Sequence, residues 1–137
     1  MTDAVKFFSQ EWCDAARKAV NANAAVHQGF KDAANFTNKM GFAVIEREDL
    51  VTHIEWDRGK IVSWTPRTFV DDELWIVLNG SLDSWKLAAD GKEEGGRLLM
   101  AGAIKLSKGP MSAAIENAGA FNNFLLTWGQ VPTEWAV

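Results

Sequence analysis

Few side chains in this sequence could do chemistry, and their spacing limits what each can do. Asp71, Asp72 and Glu73 form the one run of three consecutive carboxylates. Two carboxylates can divide acid and base work when their surroundings push their pKa values apart, but a dyad needs a second chemical partner and none lies nearby in the chain. At the start of a helix the same three residues complement the exposed N–H groups and the dipole, by about 0.3–1 kcal/mol each. That capping role is the reading taken. His27 and His53 are the only histidines and Cys13 the only cysteine, so no spacing such as H-E-x-x-H or C-x-x-C is present to hold a metal. His53 stands two residues from Glu55 on one face of an expected strand, which leaves a polar pair open. The plainer expectation is a partly exposed strand histidine. Cys13, beside Trp12 and without a histidine partner, reads as a buried small hydrophobe. The segment 91–96 holds three glycines, but it lacks the phosphate-loop spacing, and Glu93 and Glu94 would repel phosphate. There is no G-x-S-x-G elbow and no dinucleotide fingerprint. The expectation is a chain with no catalytic residue, no metal and no cofactor, hence not an enzyme.

The bulk numbers narrow the partners. A chain of 137 residues reads as one domain over residues 1–137, long enough to bury roughly 68–70% of its unfolded surface without disulfides. The lone cysteine fits a reducing compartment. Fourteen basic against eighteen acidic side chains leave a net charge of −4, the wrong sign for nucleic acid and for docking on anionic lipid by charge alone. No apolar run approaches the roughly 18–20 residues of a membrane span. The start MTDAVKFFSQEW lacks a signal peptide's basic and apolar regions, and TEWAV is not a Ser-Lys-Leu address. A soluble, cytoplasmic chain without stable membrane insertion is expected. Seven Trp and eight Phe with no Tyr give large apolar rings with few donors. They belong either to an aromatic-rich core or to a cavity lined for an apolar guest.

The hydrophobic spacing supplies the elements. Val5, Phe8, Trp12, Ala15 and Ala19 share a helical face, which predicts a helix from Asp3 to Val20. A short second helix follows around Val26 and Phe30. From Asn35 the period changes to two: Phe36, Met40, Phe42 and Val44 predict one strand, 46–49 a charged turn, and 51–56 a second strand. Asp57-Arg58-Gly59-Lys60 reads as a hairpin turn, with Lys60 to Trp64 as its return and Pro66 at its end. Residues 67–70 are expected as a fourth strand. Leu74, Trp75 and Leu78, then Leu82, Trp85 and Ala89, predict two short helical pieces around Gly80. Arg97 to Leu106 is expected as the last strand, with Leu98, Met100 and Ile104 on one face and Gly102 thinning its centre. After Pro110 the tail is helical, in two pieces separated near Gly119 and ended by Gly129 and Pro132.

The expected helices 73–89 and 111–128 carry more large side chains than one small sheet face needs. Such surplus apolar surface is closed in a core, closed in a dimer, or kept open for a guest. A guest acyl chain gains about 0.8 kcal/mol per buried methylene. About ten methylenes offer near 8 kcal/mol, a micromolar affinity before ordering costs are subtracted.

One stretch also carries a family pattern. Leu74-Trp75, Gly80, Leu82-Asp83, Gly91, and G-x-L-x-M-x-G from Gly96 to Gly102 resemble the sterol carrier protein-2 (sterol-transfer) domain, in which an acidic residue and Trp open a short helix before a Gly-x-x-Asp step, a Gly-led turn and a Gly-flanked strand. The specific part is residues 71–104; the order of elements fits over the whole chain. The resemblance implies an α/β (α+β) sandwich with a five-stranded, mainly antiparallel sheet covered by helices around a hydrophobic tunnel for sterols, fatty acids or fatty acyl-CoA. Carried over residue by residue, Trp75, Leu78, Leu82 and Trp85 match the crossover helices, and Leu98, Met100 and Ile104 the inward face of the last strand. Phe121, Phe124, Leu125 and Trp128 match the C-terminal helix by position. The acidic charge, the ending Ala136-Val137 and Ala103 where the family often has Asp depart from its eukaryotic members and suit a bacterial stand-alone domain. The resulting expectation is a non-enzymatic carrier for an apolar small molecule. The alternatives are an interaction module whose spare face closes a homodimer or docks on an enzyme, and a small cone-shaped enzyme of the nuclear-transport-factor-like kind, which would need His53 or the Asp71–Asp72 pair to face a pocket.

Overall fold

The computed structural model describes residues 4–66 and 68–136. Helix α1, Gln10–Ala22, begins where Ser9 in extended backbone accepts the Trp12 N–H at 3.2 Å, the usual device for satisfying a free donor of the first turn. It does not reach back towards Asp3, which lies outside the described residues. Val5–Lys6 instead forms a short strand, β1, parallel to β7, Thr133–Glu134, at the far end of the chain. Phe8, at φ 64°, sits in the left-handed region that no helix tolerates. The buried face of α1 is therefore Trp12, Cys13, Ala16 and Val20, one residue on from the expected stripe. Helix α2, Ala24–Gly29, follows at once, and Asn23 accepts the Ala25 N–H to start it.

The strands β2 (Asn38–Val44), β3 (Arg47–Asp57) and β4 (Lys60–Pro66) form the expected antiparallel meander. Arg58 and Gly59 both have positive φ, 51° and 79°, the geometry that matches a two-residue hairpin to the twist of its strands.

Beyond β4 several expectations fail. Thr68–Val70 is not a strand; Arg67 lies outside the described residues. Asp71–Glu73 makes one 3-10 turn, and the segment expected to continue as helix is strand β5, Ile76–Gly80. Ile76, Leu78 and Gly80 are buried and alternate with half-buried Val77 and Asn79, so the true period is two. A short apolar run fits either period, and Leu74 with Leu78 happened to fit the helical one. Thus Trp75 precedes a strand and Leu78 lies within it, neither in a crossover helix. Helix α3, Leu82–Ala89, is as expected, with Ser81 capping the Ser84 N–H.

The expected strand from Arg97 to Leu106 is two elements. Gly95–Ala101 is helix α4, ended by Gly102 at φ 82°, a left-handed C-terminal stop that glycine adopts without strain. Only Ile104–Lys108 is a strand, β6. Leu98 and Leu99 are neighbours and both buried, while Met100 is 73% exposed, a pattern that a strand face cannot give. Helices α5, Met111–Glu116, and α6, Ala118–Trp128, divide at Asn117 rather than Gly119.

The five-stranded sheet has the order β4-β3-β2-β5-β6, antiparallel except between β2 and β5. The mainly antiparallel five-stranded sheet with covering helices is therefore as expected, although β5 stands in for the strand expected before it. Phe42, Ile54, Leu78 and Ile104 turn inward beneath the helices and are buried. Among the described residues no helix is long and apolar enough to cross a membrane. Helices α2 and α6 touch backbone to backbone: a Cβ on Gly29 would lie 2.5 Å from the Ala120 nitrogen. Gly29→Ala is expected to cost about 1–3 kcal/mol, as overpacking does, read as a lower urea midpoint at unchanged slope.

Candidate functional site

The reactive side chains are held in structural roles. Glu73 accepts the Val70 N–H at 3.1 Å and lies 3.9 Å from the Lys39 ammonium, so it fastens the turn between β4 and β5. His53 is buried, not partly exposed as expected, at 2%. Its Nδ1 accepts the backbone N–H groups of Thr68 and Phe69, each at 2.9 Å, and its ring stacks on Phe69. It faces away from the helices: its register partner Gly41 packs among Leu74, His53 and Val77 on the outer side of the sheet. Among the described residues no group of three or more His, Cys, Asp or Glu side chains could hold a metal ion.

Cys13 is fully buried. Burial pushes its thiol far above the ordinary range, and the charge of Asp14 adds to the shift. Since the thiolate is the reactive form, native protein at pH 8 should leave Cys13 unlabelled by iodoacetamide under conditions that alkylate the urea-unfolded chain completely. Mass spectrometry reads the difference, and labelling of native protein would mean that α1 opens.

What the fold builds instead is an apolar cavity between the sheet and the C-terminal helices. Met40 and Phe42 of β2 with Ile76 and Leu78 of β5 form its floor. Ala120, Phe121 and Phe124 of α6, Ala113 and Ala114 of α5, and Leu99 of α4 close it from above. Phe30, Phe36, Trp56 and Trp75 form an aromatic end wall. Among the described residues Asn117 is the one polar member of the lining, and its side chain is engaged: Oδ1 accepts the Lys31 N–H and Nδ2 donates to the Ala113 carbonyl. The free space is about 50 Å³. A water's share of liquid volume is about 30 Å³, so this void accepts a fragment of a long acyl chain rather than all of it.

The outer wall is the weakest part. Helix α5 buries none of its six residues. Beyond it, between α4 and the α5–α6 pair, lies an open groove of about 580 Å³ bordered by Arg97, Met100 and Ile115. Leu99, Ala114 and Phe121 line both spaces, so the groove is separated from the cavity by three side chains.

The residues singled out from the sequence divide sharply. Trp75, Leu78, Phe121 and Phe124 line the cavity. Met100 borders the groove only. Leu82 is half-buried against the core; Leu98, Ile104 and Leu125 are buried within it. Trp85 and Trp128 are fully buried in an aromatic cluster with Trp12 and Trp64, and the Trp85 indole donates to the Ala43 carbonyl at 3.0 Å. The sequence reading missed Phe30, Phe36, Met40, Phe42 and Trp56 as wall, although the period-two pattern had already put Phe36, Met40 and Phe42 on one face.

No protein-family model matches the chain, and no curated protein matches it by sequence. Solved structures do match by shape. A crystal structure of sterol carrier protein 2 superposes with a TM-score of 0.76 at 18% identity, over 92% of this chain and 99% of that one. A solution structure from Thermus thermophilus, a conserved hypothetical protein put forward as a sterol carrier protein, gives 0.75 at 18% identity, over 97% and 94%. The apo form of sterol carrier protein 2 from Yarrowia lipolytica gives 0.55 at 20% identity, over 93% and 97%. At these identities the likeness is one of fold.

Proposed function

From the sterol carrier protein-2 fold as premise, we propose that the chain is a single-domain, non-enzymatic, cytoplasmic carrier for an apolar small molecule of the sterol, fatty acid or fatty acyl-CoA class. The observation that carries the reading is the cavity under α5 and α6, which is walled by apolar side chains and has its one polar lining residue already bonded within the chain. An apolar void of this kind stays dry and favours an apolar guest, and each methylene moved into it from water gains about 0.8 kcal/mol. No reactive group is needed for that work.

Loading requires the wall to move. A helix that buries none of its side chains has little burial to lose on opening, so α5 is the part that swings out while the sheet and α6 hold. The guest chain then extends from the aromatic end at Trp56 and Trp75, over Leu78 and beneath Phe124, past Phe121 to the groove. Native mass spectrometry and solvent extraction of the purified protein, with titration of a fluorescent long-chain fatty acid, test this. Co-purified lipid or saturable micromolar binding is the expected result; an empty protein that also fails to bind the fatty acid ends the proposal.

A further inference from the structure

The connection from β4 to β5 crosses the outer face of the sheet over β3 and β2, because those strands lie between its two ends. Most of it stands in solvent: Thr68, Val70, Asp72 and Glu73 are exposed and Phe69 is half-buried. A segment with so little burial belongs to the low-stability end of a fold, so its few fasteners decide whether it stays down. His53 of β3 supplies two of them, since its Nδ1 accepts the N–H groups of both Thr68 and Phe69 at 2.9 Å. The Phe69 ring stacks on the imidazole. Thr65 Oγ1 meets Thr68 Oγ1, and the Lys39 ammonium lies 4.7 Å over the Phe69 ring and 3.9 Å from Glu73. The far end of this strap reaches the cavity. A Cβ on Gly41 would lie 3.3 Å from Leu74 and 3.5 Å from His53, so both pack over the same glycine. Trp75, next in the chain, belongs to the cavity's aromatic wall.

We infer that His53 is a pH-sensitive latch: the neutral imidazole holds the strap down and the aromatic end of the cavity closed, and protonation in acid releases both. The inference rests on the carrier reading and adds a condition under which the guest leaves. The latch needs a lone pair on Nδ1, and a protonated ring has none, because both nitrogens then carry hydrogen. The strapped state therefore excludes the proton and the released state takes it up. By linkage, acid favours release and neutral pH favours closure. Histidine is the side chain that ordinarily changes charge between about pH 5 and 8. Among the described residues the other charged groups on this face are Glu55 of β3, Lys39 of β2, and Asp72 and Glu73 of the strap. None is of a type that ordinarily titrates in that range. Opposite His53, β4 presents the uncharged Thr65, and β5 contributes the apolar Val77 beside Gly41.

Hydrogen exchange at the Thr68 and Phe69 amides, read by NMR on the full chain and corrected for the intrinsic pH dependence of exchange, measures the latch directly. A proton taken up with ordinary histidine affinity shifts the open-to-closed ratio by about thirtyfold between about pH 7.5 and about pH 5. Protection at the two amides should fall by that factor, while the amides within β2 and β3 stay protected. His53→Asn keeps an oxygen acceptor near the Nδ1 position without a titrating proton, and its protection should be flat over the range. His27→Gln, which removes the other histidine, should keep the wild-type fall. Calorimetry with 1-dodecanol, a guest with no charge of its own to change, should show binding at least about threefold weaker in acid for wild type and equal at both pH values for His53→Asn. Wild-type protection that ignores pH, a fall shared by the whole sheet, one that persists in His53→Asn, or one that disappears in His27→Gln overturns the latch. Protection lost in acid at unchanged dodecanol affinity overturns its hold on the cavity. A wild type that binds no dodecanol at either pH overturns the carrier reading instead, and the exchange profile still judges the latch.

Discussion

Replacing Ala113 by Phe is expected to lower affinity for a long-chain fatty acid by at least about tenfold, at a melting temperature that is unchanged or slightly raised. Ala113 lines the cavity and not the groove, and it is half-buried on a helix that contributes nothing to the buried core. A ring there takes the place of guest atoms. A tenfold loss corresponds to about 1.4 kcal/mol, less than two methylenes at about 0.8 kcal/mol each, so displacing even a short length of chain is enough. Overpacking penalties arise where a site is already full; here the added atoms meet about 50 Å³ of free space and a helix with few packing constraints. Ser112→Phe, one residue earlier on the exposed side of α5, should leave both quantities unchanged. Equal affinities in wild type and Ala113→Phe would place the guest elsewhere. A joint fall in affinity and melting temperature would make Ala113 an ordinary packing residue.

How far the sequence led to the fold can be judged at particular residues. The meander was legible because Phe36 to Trp64 alternates over long strands with turn chemistry at Asp57 to Lys60, and two signals agreed. The helices at Leu82 and Phe121 were legible because their apolar residues recur over two turns or more. The stretch between them was misread where elements are short. Ile76–Gly80 has five residues, too few for periodicity to separate the two structures. In Gly95–Ala101 the even spacing of Leu98 and Met100 looked like a strand, and the decisive fact, that Leu99 is buried and Met100 exposed, is tertiary. The Gly-flanked pattern that carried the family resemblance is thus helical here. The order of the surrounding elements, and not that pattern, accounts for the agreement in fold.

The site was half legible for a related reason. Apolar residue type marks what leaves water, and it does not mark whether a neighbour or a void lies beyond. Trp75 and Trp85 look alike in sequence, yet Trp75 faces the cavity while Trp85 is fully enclosed and bonded to Ala43. Leu98 and Leu99 are adjacent, and only Leu99 reaches the cavity. Which of two apolar positions meets free space depends on how α4, α5 and α6 lie over the sheet. That placement is fixed by long-range contacts such as Gly29 against Ala120, and these have no local signature.

Trp128→Ala is expected to be the most destabilising change, at about 3–5 kcal/mol, with little effect on the affinity of whatever remains folded. Trp128 is fully buried near the end of α6. Its ring lies 5.2 Å from Trp12 at 89°, 5.3 Å from Trp85, 5.5 Å from Phe124 and 5.9 Å from Phe42. It therefore joins α1, α3 and β2 through one side chain, in separations and angles that add to the burial itself. A domain is stable by only about 5–15 kcal/mol, so this loss removes a large share and should lower the melting temperature by roughly 10–20 °C. Because Trp128 does not line the cavity, fatty-acid affinity measured well below the new midpoint should stay within a few-fold of wild type. The pairing of this variant with Ala113→Phe separates core from wall: one loses stability and keeps the guest, the other keeps stability and loses it. A Trp128→Ala protein that melts near the wild-type temperature and binds poorly would show that α6 presents this ring to the guest and that the boundary between core and cavity lies deeper than the packing implies.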